Sequence, residues 1–135
     1  MKIALDVLGG DLAPTSNIEG AMAYLNKCGD SAAELILVGD EKTIKSSLNS
    51  YNYNNSKVHI VHTTEVVGMH EKPSRIFKEK PDSSLVKSIQ LVRDGEAHAA
   101  VSAGNTGALL ASSLFLIGKI PGIRRPAFAP FIPTN

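Results

Sequence analysis

An α/β fold with a mostly parallel sheet follows from two features of this sequence. Short apolar runs at Lys2–Val7, Glu34–Gly39, Val58–His62 and Ala97–Ser102 read as strands, and helical patterns fall between most of them. The centre of the second run, Leu35-Ile36-Leu37-Val38, is apolar without interruption. Such a strand is buried on both faces, as in a parallel sheet covered by helices.

The elements follow in order. The first strand ends in Leu8-Gly9-Gly10-Asp11, a turn. Thr15 or Ser16 is placed to cap the next helix, and Glu19 stands three residues after Ser16, as a capping box requires. Ile18, Ala21, Met22 and Leu25 then lie on one helical face, and Cys28-Gly29 ends the helix. Asp40 follows the second strand and can cap a helix running to about Leu48. Residues Ser50–Ser56, rich in Asn and Tyr, read as a loop before the third strand. Thr64–Pro73 reads as irregular, and two short helical stretches follow it. The better one is Ser84–Asp94, with Leu85, Ile89 and Val92 on one face. The fourth strand is expected to be buried. The helix after it, Asn105–Gly118, is apolar nearly all round and is expected to be deeply buried as well. Ala127–Ile132 is one more strand on pattern, which Pro130 confines to an edge or a bulge.

Composition bounds the function. Hydrophobic residues make up 43% and charged residues 20%, which excludes a disordered chain. Aromatics are only 5%, so the core is built from Ile, Leu, Val and Ala. Net charge is +1, and no nucleic-acid partner is expected. The second half is mildly basic, and after Glu96 there is no acid at all, only Lys119, Arg124 and Arg125. That favours an anionic ligand or an acidic partner, or is an ordinary solvated surface. The single Cys28 excludes an internal disulfide and a cysteine-rich zinc site, so a cytoplasmic setting is expected. His59, His62, His70 and His98 show no metal-ligand spacing. The most apolar run, Ala108–Gly118, is about half the roughly 20 residues that a membrane span needs. The length fits one domain. The ending Phe131-Ile132-Pro133-Thr134-Asn135 has no domain-closing element, so residues 1–135 are expected to be the N-terminal part of one larger catalytic domain.

Ligands of parallel α/β sheets bind beyond the carboxyl ends of the strands. Two turns stand out there. Ser102-Ala103-Gly104-Asn105-Thr106-Gly107-Ala108 follows a strand and opens a helix. The free N–H groups and positive dipole end of that helix suit an anion; alternatively, this is a tight βα turn with an N-cap. Gly104 and Gly107 permit close approach, and Ser102, Asn105 and Thr106 add polar side chains. No Lys follows at the P-loop position, and the glycines do not form the dinucleotide fingerprint. The second turn, Asp6-Val7-Leu8-Gly9-Gly10-Asp11, sets two carboxylates around a glycine pair. They suit Mg²⁺, substrate orientation or proton transfer. Alternatively, Asp11 caps a turn and Asp6 answers a backbone N–H.

Together these residues resemble the PlsX phosphate acyltransferase family of bacterial phospholipid synthesis. The opening Ile3–Pro14 is similar to that family's N-terminal signature, Leu35–Asp40 to its second strand, and Glu71–Arg75 with Ser83-Ser84-Leu85 to its middle segment. Val101–Leu110 matches its glycine-rich turn, and Gly118, Gly122-Ile123, Arg125-Pro126-Ala127 and Pro133-Thr134 continue the match in order. Leu8 and Leu85 stand where Met is usual, and Leu12 where His is common. The resemblance implies a three-layer α/β/α architecture similar to the isocitrate dehydrogenase-like and phosphotransacetylase group. It implies transfer of an acyl chain from acyl carrier protein to inorganic phosphate, giving an acyl phosphate. It further implies a homodimer, with peripheral membrane association an open expectation, and no metal or organic cofactor. On this reading Asp11 and Asn105 are the catalytic candidates. Gly9, Gly10, Ser102, Gly104, Asn105, Thr106, Gly107 and Arg125 are the phosphate-binding ones, with Arg125 or a residue beyond Asn135 as counter-cation.

Two rival readings remain at this level. Pyridoxal-phosphate enzymes of the cysteine-synthase type carry a similar Ser-Gly-Asn-Thr-Gly turn. Their cofactor-lysine segment has no good counterpart here, since Lys87 is followed by Ser88-Ile89. The other rival is a non-catalytic piece that binds phosphate or acyl carrier protein.

Overall fold

The computed structural model describes residues 1–127. Four strands, β1 (Lys2–Asp6), β2 (Glu34–Gly39), β3 (Val58–His62) and β4 (Ala99–Val101), form one sheet in the order β3-β2-β1-β4. Every pairing is parallel. Among the described residues five α-helices accompany them: α1 (Thr15–Cys28), α2 (Glu41–Leu48), the single turn α3 (Ile76–Glu79), α4 (Ser84–Arg93) and, after β4, α5 (Thr106–Leu116).

Alternation along the strands builds the layers. Leu35 and Leu37 of β2 face α1 and α2, meeting Ile18, Met22, Leu25, Ile44 and Leu48. Ile36 and Val38, one residue out of phase, face the other side and meet Leu91 of α4. That period of two, buried on both faces, gives a three-layer α/β/α arrangement. Truncating Leu37, which has no solvent exposure, to Ala is expected to cost about 2–5 kcal/mol.

Three expectations are corrected. The Ser16–Glu19 capping box does not form, because α1 starts at Thr15 after Pro14. The preceding turn winds straight into the helix, so the Ser16 and Ile18 N–H groups already bond the Leu12 and Pro14 carbonyls. β4 is shorter than predicted and partly exposed, since it pairs on one side, with β1, among the described residues. α5 is apolar yet not deeply buried: Ala108 and Ser112 are enclosed, whereas Phe115 is 61% exposed. It packs on α3 and α4 through Ala108, Leu109 and Leu116 rather than covering the sheet. Of the strand expected at Ala127–Ile132, residues 128–132 lie outside the described residues.

Candidate functional site

β1 and β4 lie side by side, with Leu5 opposite Val101. β2 and β3 are on one side of β1 and β4 is on the other. The chain order therefore reverses between β1 and β4, and open parallel sheets bind ligands in the crevice beyond such a reversal. Both turns singled out from the sequence open at this point.

Asp6 ties them together. Its side chain is buried at the end of β1. Oδ1 accepts the Leu8 N–H at 3.2 Å, and Oδ2 accepts the Ser102 hydroxyl at 2.7 Å. Ser102 Oγ in turn accepts the Gly104 N–H at 3.0 Å. The two backbones meet at Gly9 and Gly104. A Cβ on Gly9 would collide with Asp6 Oδ2 and stand 3.0 Å from the Gly104 nitrogen, so only glycine fits.

Two asparagine amides shape the surroundings. Asn17 Nδ2, from α1, donates to the carbonyls of Val7 (2.9 Å) and Gly9 (2.8 Å), with Asp6 O at 3.4 Å. Asn105 Nδ2 donates to Gly68 O (3.2 Å), Met69 O (3.1 Å) and Glu71 O (3.1 Å), while its Oδ1 caps α5 by accepting the Ala108 N–H at 3.0 Å. Each amide draws carbonyl oxygens back toward itself. What remains on the turns is donors. Among the described residues, the N–H groups of Gly9, Gly10, Asn105, Thr106 and Gly107 have no protein acceptor. The first turn of α5 carries no acid, so its positive dipole end is not neutralised.

The loop that Asn105 holds has a second pin. Glu71 Oε1 accepts from the Gly68 N–H and from Lys80 Nζ, each at 2.6 Å, and Lys80 also reaches Val66 O at 2.7 Å. The Lys80 ammonium, then the Gly68 N–H, hold the Glu71 carboxyl below its ordinary range.

The structure thus brings Gly9, Gly10, Ser102, Gly104, Asn105, Thr106 and Gly107 together at one point. Asp11 is exposed on the turn after Gly10, with no side-chain bond among the described residues. Arg125 is exposed, and no hydrogen bond or ion pair among the described residues ties it to either turn. Asn105 is placed centrally, but its amide is fully engaged with protein groups. Asp6 answers a backbone N–H, as one sequence reading had it, and holds Ser102 besides. Asn17 went unnoticed, since an Asn on a helix that starts after a turn carries no distinctive signal. Among the described residues no group of three or more His, Cys, Asp or Glu is placed to hold a metal. His59 and His98 sit at sheet edges, on Glu34 Oε2 and the Lys2 N–H respectively.

A family model described as "Fatty acid synthesis protein" matches residues 1–135. The chain belongs to this family. It is 48% identical over 134 residues to a phosphate acyltransferase of Dictyoglomus turgidum, which covers 99% of this chain and 39% of that protein. It is 47% identical to one from Exiguobacterium sp. and 44% to one from Clostridioides difficile, with 99% of this chain covered each time. The chain spans about two fifths of the length of these curated relatives. The cysteine-synthase-type reading gains nothing from the family, and Lys87 lies on α4 rather than in a turn.

Proposed function

We propose that this chain carries the phosphate-binding portion of a phosphate acyltransferase. The reaction moves a fatty acyl group from acyl carrier protein to inorganic phosphate. The observation that carries this reading is the set of unpaired N–H donors on two turns at the strand-order reversal. Phosphate is a small anion that such donors bind without a cofactor. Relatives at 44–48% identity bear the name of an enzyme that uses it.

In the proposed step a phosphate oxygen attacks the thioester carbonyl carbon, the C–S bond breaks, and the thiol leaves with one proton. Thr106 and the N–H groups of Asn105–Gly107 and Gly9-Gly10 are the groups for phosphate and for the oxyanion that forms in attack, with Gly104 allowing close approach. Asp11 is the carboxylate for orienting or deprotonating phosphate. Asn105 acts here by position: it caps α5 and holds the Gly68–Glu71 loop beside the donors. We further propose a homodimer working in the cytoplasm, with peripheral contact to the membrane that receives the product. No helix among the described residues is long and apolar enough to cross a membrane.

The test is a chimera in which this chain replaces the matched segment of the Dictyoglomus turgidum relative. Acyl phosphate formation from acyl-acyl carrier protein, dependent on added phosphate, is the expected result. A folded chimera that binds acyl carrier protein but forms no acyl phosphate would sink the proposal.

A further inference from the structure

The two edges of the sheet are finished differently. β3 pairs only with β2 among the described residues, and its edge carries polar side chains: His59 Nε2 lies 3.0 Å from Glu34 Oε2, and His62 Nδ1 accepts the Glu41 N–H at 3.1 Å. Polar and charged side chains of this kind guard a sheet edge against further pairing. β4, at the opposite edge, is Ala99-Ala100-Val101 and has no polar side chain. Its far backbone edge has no partner strand among the described residues. The apolar pattern of the sequence, Ala97–Ser102, is also longer than the three residues that pair with β1.

Cover is missing on one face of β4 as well. Toward α4, Ala100 packs with Leu91 and Ala97. Toward α1, Val101 is 50% exposed. α1 lies over β1 and leaves an open groove beside β4, lined mainly by Ile3, Leu5, Gly20, Ala21, Tyr24 and Val101. Its volume is about 340 Å³, against about 30 Å³ for one water, so it has room for the side chains of another element. Gly20 points the same way. A glycine inside a helix is destabilising, and a Cβ here would meet no atom within 4 Å, so nothing among the described residues requires one. A second backbone packed against α1 would.

The matched segment is 39% of the Dictyoglomus turgidum relative and 40% of the Exiguobacterium one, so more than half of each lies outside it. We propose that the bare edge of β4 and the groove between α1 and β4 form the docking surface for that outside part of the family protein. It adds a strand beside β4 and lays a row of apolar side chains against Ile3, Gly20 and Val101. Docking here follows from family membership and from the contrast between the two edges, and does not depend on the phosphate reading.

Thiol labelling tests it, in this chain alone and in the chimera described above, each carrying Cys28→Ser. Val101→Cys probes the proposed surface and His59→Cys the guarded edge, with the labelled peptides read by mass spectrometry. In the chimera Val101→Cys is expected to react about tenfold or more slowly than His59→Cys, and in this chain alone at a similar rate. If Val101→Cys reacts as fast as His59→Cys in the folded chimera, the docking surface is overturned, whether or not phosphate binds. Protection of Val101→Cys in this chain alone that grows with protein concentration would assign the face to a second copy, and would overturn it too. Gly20→Leu is the second measurement. It is expected to leave this chain as stable as the parent, because the space is open, and to lower the Tm of the chimera, where the docked part fills that space. A chimera whose Tm is unchanged or raised would overturn docking at the groove.

Discussion

Two strand-to-helix turns in this molecule start from the same backbone and end with opposite electrostatics. Asp40 before α2 has φ −66° and ψ 115°, and Asn105 before α5 has φ −61° and ψ 105°. Each caps its helix by accepting the N–H three residues on, Thr43 at 2.8 Å and Ala108 at 3.0 Å. The cap of α2 is a carboxylate, with Glu41 beside it, and it also takes the Thr43 hydroxyl. Negative charge there offsets the helix dipole, so no anion is invited. The cap of α5 is a neutral amide in a first turn without acid. Its oxygen does the same work while its nitrogen holds a remote loop. One heavy atom, oxygen or nitrogen, separates a structural turn from a turn available to an anion.

The comparison is broken most directly by Asn105→Asp. The carboxylate keeps the cap but turns a donor into an acceptor facing the Gly68, Met69 and Glu71 carbonyls. A stability loss of about 1–3 kcal/mol in urea unfolding is expected, since three part-buried contacts become repulsive. Phosphate affinity should fall with it, by about tenfold or more, because both dipole and loop are affected. Unchanged binding in a folded Asn105→Asp variant would remove the electrostatic distinction between the two turns.

The mirror substitution, Asp40→Asn, should do far less. Asn caps nearly as well as Asp, so the change in stability is expected within about 0.5 kcal/mol. The variant should also leave phosphate binding at the α5 turn as it was. A loss there would mean that the α2 end of the sheet shapes the site, contrary to the separation drawn above.

Much of this contrast was legible in the sequence. Asp40 was readable as a cap because an acid directly after a buried strand has few other uses. β2 and β3 were readable to the residue, since their apolar runs end at glycine or at polar residues. The Ser102–Ala108 turn was readable as a strand-to-helix turn from its glycines and its place before an apolar helix. The second use of Asn105 was not. Its partners lie 34 to 37 residues back, in a segment whose irregular pattern gave no hint of where it would fold. Asn17 was hidden for the same reason, because a clamp on backbone carbonyls leaves no trace in side-chain pattern. The burial of α5 was misjudged because apolar content reports what a helix can bury, and the packing of α5 on α3 and α4 decides what it does bury.

The smallest effect separates the two caps by their protons. Asp40 titrates below its ordinary value, held down first by the Thr43 hydroxyl and then by the Thr43 N–H. A carboxylate with a depressed folded value stabilises above its unfolded value, and that contribution is lost as pH falls through the folded one. Asn105 has no proton to gain. Acidification through and below the aspartate range should therefore loosen the first turn of α2 while the Asn105 cap persists. In ¹⁵N-resolved NMR spectra the Thr43 amide is expected to follow one protonation. The Ala108 amide should keep its hydrogen-bonded position until the Glu71–Lys80 pin also titrates. Because the Asp40 side chain is 41% exposed, the change in global stability should be slight and the local resonance is the better gauge. An Ala108 shift that tracks Thr43 step for step would show the two turns to be coupled through the sheet, and the neutral cap would then confer no independence on the proposed anion site.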